Sequence, residues 1–63
     1  MPETLELNQA QQLADHYFHK ADVMLTIASR RVANEDTEDT RAFAKRQRTK
    51  AAMLRARAKF LLA

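Results

Sequence analysis

The chain contains no cysteine, no glycine and no tryptophan, and only one proline in 63 residues. Without cysteine it can form neither a disulfide framework nor a thiolate zinc site. Without glycine it lacks the GxGxxG and GxxxxGK loops that cradle phosphates. It has no run of ~20 apolar residues, so no membrane span is expected. So short a chain also rarely encloses a catalytic pocket. These absences leave a non-catalytic helical module that works by binding, with no cofactor and no metal.

Size imposes a further demand. Below ~70 residues a single core seldom supplies more than ~3–5 kcal/mol. Disulfides and structural metals being excluded, self-association is the expected remedy. The N-terminal run Met1-Pro2-Glu3-Thr4-Leu5-Glu6-Leu7 is acidic. It lacks the basic segment and apolar stretch of a secretory leader, and a cytoplasmic location is expected.

Charge is scarce in one sign on each half. Residues 1–40 carry all eight acids against Lys20, Arg30 and Arg31, a net of −5. Residues 41–63 carry Arg41, Lys45, Arg46, Arg48, Lys50, Arg55, Arg57 and Lys59 with no acid, a net of +8. Such asymmetry suits contact between the two segments, or a cationic face for an acidic partner.

Two long segments without glycine or internal proline predict helices over about 8–33 and 37–62, joined by a turn at 34–36. Asn8, with Gln11 three residues on, predicts the first N-cap, and Leu5 and Leu7 a short apolar lead-in. Pro2 is also compatible with an earlier start. Asn34 is a candidate for the left-handed conformation that ends a helix. Asp36 or Thr37 can cap the second helix, placing Glu38 and Asp39 at the positive end of its dipole and Arg57 and Lys59 towards the negative end. Near-equal helices on a short connection predict an antiparallel hairpin, an all-α fold.

Alanine recurs every seven residues at Ala14, Ala21 and Ala28, and again at Ala44, Ala51 and Ala58. The alternate positions are Ala10, Tyr17 and Met24 in the first helix and Gln47, Leu54 and Leu61 in the second. One small and one larger residue per heptad is the pattern of a coiled-coil seam in which two backbones approach closely. The predicted core and self-association set is therefore Ala14, Tyr17, Ala21, Met24, Ala28, Ala44, Ala51, Leu54, Ala58 and Leu61.

The apolar surface exceeds one seam. Leu13, Phe18, Leu25 and Val32 flank the first helix's seam, and Val23 and Ile27 widen the arc beyond half the circumference. One partner helix needs only ~100°. The second helix has another apolar line at Ala42, Thr49, Met53, Ala56 and Phe60. Basic stripes separate it from the first: Arg46, Lys50 and Arg57 on one side, Arg41, Lys45, Arg48, Arg55 and Lys59 on the other. A face to spare on each helix predicts a homodimeric four-helix bundle, with Val23, Ile27, Met53 and Phe60 as candidate partner contacts.

Asp15, His19 and Asp22 share a face, but with one imidazole they read as polar surface rather than a metal site. Ser29 has no histidine in register, and Tyr17 reads as core, so no nucleophile is assembled. The cations Arg41, Lys45, Arg48, Arg55 and Lys59 are candidates for contact with an acidic partner or with nucleic-acid phosphate. Phe43 and Phe60 read as packing residues rather than base-stacking platforms.

Two near-equal helices with small residues at the seam resemble the Rop family, short hairpins that dimerise into bundles and regulate by binding RNA. The resemblance is one of length and architecture, without a shared residue motif. It implies a dimeric regulator and assigns no functional residue. Small regulators encoded by phages and other mobile elements share this plan. The expected function is a self-associating hairpin that binds a protein partner, such as a host regulator, and inhibits or recruits it. The alternative is an RNA- or DNA-binding regulator using the basic face of the second helix.

Overall fold

The computed structural model describes the backbone of residues 2–63 and the side chains of residues 7–63. Two helices, α1 (Pro2–Asn34) and α2 (Glu38–Leu62), pack against each other as a hairpin. The start of α1 departs from the expected Asn8 cap. Proline is well tolerated in a first helical turn, where its missing N–H has no intrahelical acceptor, and no breaker follows it. Asn8 is therefore mid-helix and exposed, and Leu7 is a helical residue left 70% exposed rather than a packed lead-in. The packing expected of Leu5 lies outside the described side chains.

Glu35–Thr37 connect the helices. Asn34 completes α1 without the left-handed conformation expected of it: no residue among those described has a positive φ. The Glu35 N–H donates to the Arg31 carbonyl at 3.1 Å, carrying the helical pattern one residue past Asn34. Thr37, in extended conformation, caps α2. Its hydroxyl accepts from the Thr40 N–H at 3.2 Å, while Thr40 Oγ1 accepts from the Thr37 N–H at 2.9 Å. Threonine thus replaces the usual glutamate or glutamine of a capping box. Thr40 Oγ1 also donates to the Glu35 carbonyl, tying the cap to the connection. Arg41 grips Asp36 with two nitrogens, Nη2 lying 2.9 Å from Oδ2. Glu38 and Asp39 occupy the first turn of α2, and Lys59 the last.

Burial is confined to one residue type. Among the described residues Ala14, Ala21, Ala28, Ala44, Ala51 and Ala58 are buried, and no large side chain is fully buried. The pairs 28/44, 21/51 and 14/58 are equidistant from Asp36 in sequence, so an antiparallel return sets them at matching heights along the seam. Methyl groups let the two backbones close, which keeps larger neighbours out of the interface. Ala10, Tyr17, Met24, Gln47, Leu54 and Leu61 are only half-buried along its edge.

The helices differ in length, 33 residues against 25, and meet at one turn, where α1 ends and α2 begins. The N-terminal stretch of α1 therefore extends past the end of α2. The rod measures 53 × 15 × 10 Å. Its long dimension is that of α1 alone, about 50 Å at 1.5 Å per residue. No helix among the described residues is long and apolar enough to cross a membrane.

Candidate interaction surface

A two-helix rod has two broad faces, one on either side of its seam. The 3.6-residue repeat decides which side chains stand on each. On the first face α1 contributes Tyr17, Lys20, Met24 and Arg31, and α2 contributes Phe43, Lys50, Leu54 and Arg57. Between them runs an open groove of about 240 Å³ lined by Lys20, Met24, Lys50, Met53, Leu54 and Arg57. Two cations of this face lie over aromatic rings. The Arg31 guanidinium carbon is 5.0 Å from the Phe43 ring centre, and that of Arg57 is 5.9 Å from Tyr17. Attraction between a guanidinium and a ring's negative face holds the cation in place without neutralising it.

The second face is built differently. Its groove, about 310 Å³, is lined by Leu25, Arg48, Ala51, Ala52, Arg55, Ala56 and Lys59. Arg55 Nη2 donates to Asp22 Oδ1 at 2.9 Å, the one ion pair among the described residues that links the helices. The other is the Arg41–Asp36 pair at the turn. There the hydrogen bonds from Arg41 hold the Asp36 carboxyl below its usual range, and the same contact raises the Arg41 guanidinium.

The predicted core residues divide by size. The six alanines are buried, whereas Tyr17, Met24, Leu54 and Leu61 are half-buried. Val23, Ile27, Met53 and Phe60 are exposed, Phe60 by 81%, so Phe60 is not the packing residue its chemistry suggested. An apolar side chain two or more positions off a narrow seam has no second layer to enter. Met53 joins Met24 in the first groove. Val23 stands on the back of α1 by helical repeat, and Phe60, on the same stripe as Met53, does not line this groove. The basic set is also divided. Arg41 and Arg55 are held by carboxylates, Arg48 and Lys59 border the second groove, and Lys45 is exposed.

Sequence reasoning did not single out Lys20 as a site residue, nor Lys50 and Arg57 beyond their stripe. The signal was present in the 17–20–24 spacing of α1 and the seven-residue recurrence of Phe43, Lys50 and Arg57. It was not decisive until the flip of α2 showed that these rows border one groove. Among the described residues no three His, Cys, Asp or Glu side chains converge as a metal site would require. Both grooves are open troughs, unlike the enclosed pockets that bury most of a small ligand.

No family model, curated protein or solved structure matches the chain significantly.

Proposed function

We propose that this protein is a non-catalytic interaction module: a hairpin that self-associates and acts by occupying a surface of a protein partner, to inhibit or recruit it. The carrying observation is excess surface. A folded monomer of 7.3 kDa exposes roughly 4,200 Å² by the usual size scaling, whereas this chain exposes 5207 Å². The difference is comparable to the ~800 Å² that each partner buries in a standard interface. The radius of gyration tells the same story, 15.1 Å against ~10.6 Å for a compact chain of this length.

Six buried methyl groups supply about 5 kcal/mol before any cost of ordering the chain, at ~0.8 kcal/mol each. Large apolar side chains remain at the surface, where only another molecule can cover them. A homodimeric four-helix bundle covers one face of each hairpin and leaves the other for the partner. The second face suits the homodimer because it carries both signs of charge, with Asp22 beside Arg48, Arg55 and Lys59.

RNA or DNA binding is the second reading, favoured by the net +8 of residues 41–63. Two comparisons separate the readings. Nucleic-acid affinity falls steeply between about 50 and 200 mM salt, and replacing Arg48 and Lys59 by alanine would weaken it. A protein complex captured from the native host after nuclease treatment would instead be disrupted by Ile27→Asp or Met53→Asp. Absence of any such complex, together with tight salt-sensitive binding to bulk nucleic acid, rejects the protein reading.

A further inference from the structure

The first groove combines two features that point to a particular kind of occupant. Its floor is apolar, formed by the half-buried Met24 and Leu54, with Met53, 68% exposed, at the outer rim, and Lys20, Lys50 and Arg57 supply its cations. Arg31 stands further along the same face over Phe43. Both ion pairs among the described residues lie elsewhere, at the turn and on the opposite face. Thus three cations line an apolar trough and a fourth, Arg31, stands on the same face, and among the described residues no carboxylate is paired to any of them.

A second copy is a poor occupant of this trough. Packing the face on itself would bring these four cations against their equivalents, and like charges across an interface cost several kcal/mol. Duplex nucleic acid satisfies the cations but offers no apolar edge to the methionines and leucine. A helix with leucine-type residues on one stripe and Glu or Asp on either side satisfies both. Its apolar stripe fills the trough, as a helix fills a groove through anchors at i, i+3, i+4 and i+7. Its acids reach the lysines and arginines at the borders. Methionine suits such a floor because its unbranched thioether adapts to different occupants. The stacked guanidiniums of Arg31 and Arg57 are already positioned, which reduces the ordering cost of binding.

We propose that the trough bordered by Lys20, Lys50 and Arg57 is the docking site for an acidic amphipathic helix of the partner protein. This rests on the protein-binding reading above and specifies where and by what chemistry the partner is held.

The test uses the full chain with methyl-labelled methionine. The probe is a synthetic helical peptide of about 20 residues with a leucine stripe flanked by glutamates. A peptide with lysine in place of every glutamate and a DNA duplex serve as comparisons. Binding of the acidic peptide should shift the Met24 and Met53 methyl resonances and fail with the lysine peptide. Lys50→Glu with Arg57→Glu should weaken the acidic peptide by about tenfold or more, with helicity by circular dichroism unchanged. Arg48→Glu with Lys59→Glu, on the opposite face, should weaken it far less. Equal loss from both pairs of substitutions overturns the proposal, as does tight duplex binding that shifts the same methyls and is lost with Lys50 and Arg57.

The native complex separates the two levels of inference. If it survives Lys50→Glu with Arg57→Glu but not Ile27→Asp, the groove assignment fails and the protein-binding reading stands. If neither substitution affects any captured protein, that reading fails as well.

Discussion

At the scale of single residues, alanine decides how closely the helices approach. Ala21 and Ala51 sit at matching heights midway along the seam, both buried. A leucine at either position has no room unless the backbones part. Ala21→Leu or Ala51→Leu should therefore cost roughly 1–3 kcal/mol, measured by chemical denaturation. A neutral or stabilising result would mean that the helices can separate to accept a larger core. By contrast, Asp22→Asn removes an exposed ion pair, both side chains being about half or more accessible. It should cost no more than about 1 kcal/mol and less in high salt. The alanine register was legible from sequence, because a small residue every seven positions in both segments has few other uses. The guanidinium–aromatic contacts were not. Arg31 with Phe43 and Arg57 with Tyr17 are separated by 12 and 40 residues and meet only through the antiparallel return.

At the scale of elements, the ends of the helices are set by local chemistry. The Thr37–Thr40 box is the principal start signal of α2. Thr37→Ala should lower stability by about 0.5–2 kcal/mol, read as loss of helical signal on heating. Thr37→Ser should retain most of the cap. The adjacent Asp36–Arg41 pair gives the turn a pH dependence. The hydrogen bond from Arg41, aided by its charge, holds Asp36 below the ordinary 3.8. A carboxyl with a lowered folded pKa stabilises above its unfolded value, and the gain disappears as pH falls through the folded one. Wild type should thus exceed Asp36→Asn in melting temperature at pH 7. The gap should close on acidification below about pH 4. A constant gap across that range would remove the pair as its cause. The sequence placed α2 and the turn within one residue of their observed limits. It placed the start of α1 late, because Asn8 is a good cap by type and nothing local reveals that the helix is already under way.

At the scale of the whole molecule, shape carries the functional argument. A rod 53 Å long and 15 × 10 Å across has no interior beyond its alanine seam, and its larger apolar groups lie on its flanks. Purified protein should sediment as a dimer or larger assembly at micromolar concentration. Its melting temperature should rise with concentration, as mass action requires when the native state is associated. A compact, concentration-independent monomer with a sharp transition would reject self-association.

The helical state of the chain, the meeting of its two helices along alanine and the segregation of opposite charges along its length are all legible in the residue order. These follow from local propensity and from a repeat matched to the helical turn, both properties of neighbouring residues. Which of the remaining side chains share a face emerges from the folded hairpin alone. That depends on how α2 is turned back and rotated against α1. It placed Lys20 beside Leu54 and Arg57, left Phe60 outside, and bound Arg55 to Asp22. The distinction is physical: a heptad specifies the stripe a helix buries, but the composition of each groove depends on the pairing of residues distant in sequence.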